Sequence, residues 1–130
     1  MKKWIIVITI MFALVIGCVL EGIYTNKAFD FLEERLEVVA NAISKDKEKI
    51  DTPDNIKLMK DLHEKWHDKL DILRCIIWHT SNKDIEVGIA RAQKYIEENN
   101  YTEAIVEIYS LINYSKHYSE DFMISLENIF

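Results

Sequence analysis

From Trp4 to Leu20 the chain carries no charge for seventeen residues, and this run constrains everything that follows it. Lys2 and Lys3 stand before it and Glu21 closes it. As a helix the run covers about 25 Å, a little short of the ~30 Å hydrocarbon core of a bilayer. Trp4 and Tyr24 extend the span to about 30 Å, and both residue types suit the interfacial belts. No second apolar run of spanning length follows, so the pattern predicts a single pass. Basic residues near the ends set orientation, and Lys2 and Lys3 put the N-terminal side in the cytoplasm. Residues 1–24 are therefore expected as a membrane anchor, and residues 25–130 as an extracytoplasmic domain.

Two other fates of such a leader are weighed against the uncleaved span. A cleaved secretory signal needs a small-x-small site, and none follows the run. Leu14-Val15-Ile16-Gly17-Cys18 is similar to a bacterial lipobox, which would make Cys18 a lipidated anchor point. Against this, Val19 and Leu20 continue the apolar run past Cys18, as a span requires. The span is the expectation and the Cys18 lipoprotein the alternative. Both tie the same domain to the same outer face. Cys75 is the only other thiol, so no disulfide framework is expected and the fold must stand on its core.

Beyond the leader about 110 residues remain, enough to bury one modest core. Three glycines and one proline leave few turn signals and favour long helices. All 22 acidic residues lie at or beyond Glu21, with 14 of the 16 basic ones. So acidic a domain is a poor match for phosphate backbones, and nucleic acid is not expected as a partner.

The apolar residues recur at helical spacing. Phe29, Leu32, Leu36, Val39 and Ile43 form one seam, which can run on directly from the membrane helix. Asp51-Thr52-Pro53 stops that helix and starts a second over 54–79, with Pro tolerated in the first turn. Its apolar face is Ile56, Met59, Leu62, Trp66, Leu70, Leu73 and Ile77. Ser81-Asn82-Lys83-Asp84 resembles a capping box for a third helix, carrying Ile85, Ile89, Ala92 and Ile96. Asn99-Asn100 breaks it, and Asn100-Tyr101-Thr102-Glu103 starts a fourth with Ala104, Ile105, Ile108, Leu111, Ile112 and Ser115 inward. The tail from Asp121 is apolar enough to dock as a further helical turn. Short loops make neighbours antiparallel. The predicted fold is all-α: an N-terminal transmembrane helix followed by an antiparallel bundle of about four helices. A tetratricopeptide solenoid is disfavoured, because only two hairpins are present and stacking needs about three repeats.

One motif carries a definite chemistry. His63-Glu64-Lys65-Trp66-His67 matches H-E-x-x-H, in which two His at i and i+4 ligate zinc and the Glu activates water. A third protein ligand is needed, with His79 and Glu86 the nearest candidates. The longer downstream signatures are missing, and Trp66 lies on the core seam with the two histidines at its margin. The pair is therefore read as flanking surface histidines, and no metal, cofactor or catalytic residue is assigned. His79, at the expected end of the second helix, reads as a C-terminal cap. Glu86 and Arg91, five apart, are expected to pair with other helices or with solvent rather than with each other. Tyr95, Tyr101, Tyr109, Tyr114 and Tyr118 read as core and boundary packing. No Gly-rich phosphate loop and no G-x-S-x-G elbow occurs.

Trp66 within a charged helix, Ile77-Trp78-His79, Asp84-Ile85-Glu86, Ala90-Arg91, Tyr95-Ile96 and the closing Ile124-Ser125-Leu126-Glu127-Asn128-Ile129-Phe130 together resemble domain-of-unknown-function family 4363. The resemblance is expected to cover nearly the whole chain, the hydrophobic leader included. It implies a short, mostly helical, membrane-anchored protein of the kind found in spore-forming bacteria and their relatives. It implies no activity or cofactor. His79 fits the family pattern, whereas His63, His67 and Cys18 are not part of it.

The expected function is a non-enzymatic interaction module at the outer face of the membrane, with another membrane protein as partner. The alternative is an extracytoplasmic small-ligand sensor or accessory subunit. A zinc hydrolase using His63, Glu64 and His67 is the remote third. Trp66, His79, Glu86, Arg91, Glu127 and Asn128 are the candidate interaction or structural residues, and Cys18 the candidate lipidation site.

Overall fold

The first helix, α1 (Lys2–Ser44), is 43 residues long, about 65 Å at helical rise, and unbroken from the charge-free run into the first apolar seam. In this computed structural model, residues 1–73 and 79–127 are described, with side chains for 1–73, 82–118 and 120. Three further helices follow: α2 (Pro53–Leu73), α3 (His79–Glu97) and α4 (Tyr101–Glu127). The four-helix, all-α architecture is the expected one.

The two halves of α1 live in different surroundings. Residues 1–18 are all exposed. From Gly22 onward one face turns inward, through Thr25, Ala28, Phe29, Leu32, Leu36, Val39, Ala40 and Ile43. Spacings of three and four place these on one stripe, as an amphipathic helix requires. Gly22 to Ser44 spans about 33 Å, comparable with the ~31 Å of α2 and the ~28 Å of α3. The bundle is thus built on the second half of α1 only.

Each helix packs on its neighbour in sequence, α4 returns to pack on α1, and the diagonal pairs do not touch among the described residues. This is a closed up-down-up-down arrangement. Its core holds Met59, Leu62, Trp66, Leu70 and Leu73 from α2, Ile85, Ile89, Ala92 and Ile96 from α3, and Ala104, Ile108, Leu111 and Ile112 from α4. Trp66 is wholly buried and meets the Phe29 ring edge-on at 5.6 Å, while Tyr118 stacks on the other side of Phe29 at 4.4 Å. Burial raises the pKa of the Tyr118 phenol, and nearby Tyr114 adds to the shift. Gly88 lets α3 and α4 approach: a Cβ there would lie 2.7 Å from Leu111 Cδ2.

The turns follow from their residues. Thr52 caps α2, its Oγ1 accepting from the Asn55 N–H at 3.3 Å, with Pro53 as the first helical residue. Asn99 takes left-handed geometry with φ 56°, and the N–H groups of Asn99 and Asn100 return to the carbonyls of Ile96 and Tyr95. That is a Schellman ending. Asn100 then caps α4 through the Glu103 N–H at 3.3 Å. Asn99 also ties the two loops at this end together. Its Oδ1 accepts from the Ile50 N–H at 2.8 Å and its Nδ2 donates to the Glu48 carbonyl at 2.9 Å. Ile50, in the charge-rich α1–α2 connection, is completely buried beneath this clasp.

Two expectations change. His79 opens α3 rather than closing α2, so a C-terminal cap is not its position. Because α3 starts there, Ser81-Asn82-Lys83-Asp84 lies inside the helix and forms no capping box. The tail is helical as far as Glu127, as the continuation of α4, and residues 128–130 lie outside the described residues. Ile77, on the expected face of α2, and Cys75 lie outside the described residues, as does Asn128.

Asn99 supplies a sharp test of the clasp. Asn99→Gly relaxes the left-handed backbone yet removes both side-chain hydrogen bonds, so it is expected to destabilise by about 1–3 kcal/mol. Asn99→Ala should cost about 1 kcal/mol more, because it adds left-handed strain. Trp66→Ala is expected to cost about 3–5 kcal/mol by opening a cavity against Phe29. Urea unfolding of the three variants in one detergent measures all of these.

Candidate functional site

The outer seam between α2 and α3 gathers the polar side chains of greatest chemical interest. On α2, His63 and His67 stand one turn apart on a face beside Trp66. On α3, Glu86, Gln93 and Glu97 face them. His63 Nδ1 lies 3.2 Å from Gln93 Oε1, and Gln93 Nε2 donates to Glu97 Oε1 at 3.0 Å. His67 Nδ1 lies 3.0 Å from Glu86 Oε1. An open groove here is lined by Lys60, His63, Glu64, His67, Asp68 and Gln93. The histidine pair is exposed enough to meet solutes: the His67 side chain retains 54 % of its accessible surface. Among the described residues, no three His, Cys, Asp or Glu groups converge in a way that could hold a metal ion. The side chain of His79, one of the two candidate third ligands, lies outside the described residues.

A second groove lies on the α1–α2 side, nearer the point where the charge-free half of α1 leaves the bundle. Tyr24, Phe31, Lys65, Asp68, Lys69 and Ile72 line it. The Phe31 ring receives two cations, Lys69 Nζ at 4.8 Å and Arg35 at 5.5 Å from its centre.

The expected site residues fall into separate places. Trp66 is at the centre of the core and out of reach of any partner. Glu86 and Arg91 both pair across helices, as their spacing implied: Glu86 with His67, and Arg91 Nε with Glu107 of α4 at 3.6 Å. His79 and Glu127 are the first residue of α3 and the last of α4. Cys18 is a free thiol exposed on the apolar half of α1. Of the tyrosines, Tyr95, Tyr101 and Tyr118 pack against the core, whereas Tyr109 and Tyr114 stay exposed.

Sequence reasoning missed Gln93 and Asn82. Gln93 gives no motif signal, and only its place opposite His63, on the polar margin of α3, could have marked it. Asn82 was read as part of a cap but lies buried in α3, with neither amide atom bonded to a partner among the described residues. The indole N–H of Trp66 is unpartnered in the same sense. An unpaired buried amide costs its full desolvation, so Asn82→Leu is expected to stabilise the bundle by about 1–2 kcal/mol. Thermal unfolding of the full chain checks this, and a destabilised variant would reveal a bond made by Asn82.

No curated protein and no solved structure matches the sequence. The family described as domain of unknown function DUF4363 matches residues 23–129. The match begins one residue after Gly22, where α1 first buries a side. The leader lies outside it, so the resemblance is narrower than expected from sequence. With the whole bundle covered, the chain belongs to the DUF4363 family.

Proposed function

We propose that the protein is a membrane-tethered, non-enzymatic interaction module, with its bundle at the outer face of the membrane and another membrane protein as its partner. The observation that carries this reading is the continuity of α1. Its first half is long and apolar enough to cross a membrane, and its second half is a structural wall of the bundle. Ile5, Ile8, Met11, Phe12 and Leu14 are each about two-thirds exposed, a patch that favours hydrocarbon over water. No flexible linker separates the two halves, so insertion of the first would hold the bundle close to the surface in a restricted orientation. Tethering of this kind raises the effective concentration of the module toward membrane partners without any added contact.

The orientation rests on Lys2 and Lys3 before the run and Glu21 after it. The non-enzymatic reading is supported by how the charged groups are used. Arg91 with Glu107, Lys116 with Glu33 and Glu37, and His67 with Glu86 tie one helix to the next. Lipidation at Cys18 would leave the same bundle on the same side.

A membrane-impermeant label applied to intact cells is expected to modify a C-terminal tag, and intact mass to match the uncleaved chain. A tag labelled only after lysis would overturn the orientation. In-cell cross-linking at native expression should yield a discrete membrane-protein adduct, lost when the leader is replaced by a cleavable signal.

A further inference from the structure

We infer that His63 and His67 form a two-imidazole site for a divalent late first-row transition metal such as zinc. The inference is independent of the membrane reading and differs from the peptidase pattern, which needs a third protein ligand. It rests on the hydrogen bonds behind the two rings rather than on the motif.

Glu97 can only accept a hydrogen bond, so the Gln93 amide must turn its NH2 toward Glu97 Oε1, 3.0 Å away. Gln93 Oε1 is then the atom facing His63 Nδ1 at 3.2 Å. An amide oxygen is an acceptor, so His63 carries its proton on Nδ1. The same logic holds at His67, whose Nδ1 faces the Glu86 carboxylate at 3.0 Å. Each neutral ring therefore has its lone pair on Nε2. Metal-binding histidines are held in this state by the same device, a carboxylate or carbonyl behind the other ring nitrogen. Here both members of an i, i+4 pair have it, and α3 supplies both acceptors.

The surroundings fit a cation. Among the residues lining the groove, the carboxylates of Glu64 and Asp68 outnumber the ammonium of Lys60, while Glu86 stands behind His67 and Glu97 behind Gln93. Imidazole nitrogen suits zinc, copper and nickel, and water completes the coordination left open by two protein ligands. A Lys in place of Gln93 or Glu86 could only donate and would make Nδ1 the acceptor, and a Ser hydroxyl would leave the tautomer open. The site is thus a property of two helices, although both ligands come from one.

The test uses the full chain in detergent micelles, purified without a histidine tag. Nitrogen-15 spectra of the imidazoles are expected to show His63 and His67 as Nδ1–H tautomers. Addition of Zn2+ should shift the Nε2 resonances of both, and calorimetry should give one saturable event. His63→Ala and His67→Ala should each abolish that event without lowering the melting temperature by more than a few degrees. Gln93→Leu should weaken it about 10-fold while retaining both ligands, through the loss of ring orientation. Either ring found as the Nε2–H tautomer, zinc addition that leaves the two rings of the native chain unshifted, or saturable zinc binding that survives in the double His63→Ala, His67→Ala variant would overturn the inference.

Discussion

A single helix whose two halves carry different side-chain patterns sets the terms for this protein. The backbone of α1 bonds only to itself, so it can pass from hydrocarbon to water without leaving a polar group unpaired. What changes along it is the side-chain pattern. Up to Leu20 apolar residues surround the helix on all sides, and from Gly22 they narrow to a stripe. An all-round apolar helix suits lipid, and a stripe suits a bundle. The other three helices exist to cover that stripe. The lengths of α2 and α3 are close to that of the second half of α1, and the longer α4 closes the ring by stacking Tyr118 on Phe29.

The bundle is fastened differently at its two ends. At the end distant from the leader, Asn99 holds the α1–α2 connection to the α3–α4 turn, with Ile50 sealed below and the Ser44 and Tyr101 hydroxyls 3.3 Å apart beside it. At the leader's end the contacts are aromatic and ionic: Phe29 between Trp66 and Tyr118, and Lys116 reaching Glu33 and Glu37. The clasp is made by an exposed Asn99 in left-handed geometry, whose side chain reaches two backbone groups of the other loop. Exposed ion pairs demand little, being worth under about 1 kcal/mol each.

Much of this was legible in the sequence, for a plain reason. Helical spacing is a local signal, so the α1, α2, α3 and α4 seams could be named residue by residue, and so could the Asn99-Asn100 break. The misreadings share a cause as well. Ser81-Asn82-Lys83-Asp84 has the residue types of a cap, but capping depends on where the preceding chain turns, and α3 already begins at His79. Ile50 lies among charges and has no periodic neighbours, so nothing local marks it as core. Its backbone N–H is held by a residue 49 positions later. Long-range partners are what a pattern read along the chain does not contain.

The histidine pair shows the same division between type and context. H-E-x-x-H specifies which atoms are present at i and i+4, and the helix guarantees that they share a face. It does not specify which nitrogen carries the proton. That is decided across the seam, where Glu97 turns Gln93 and Gln93 turns His63, while Glu86 does the same for His67. An imidazole presenting N–H to the groove is a hydrogen-bond donor, and one presenting a lone pair is a ligand. The difference lies in three α3 side chains that belong to no motif. The chemistry of α2 is therefore written on α3, and a substitution at Gln93 or Glu86 would change what the two histidines can do without touching either.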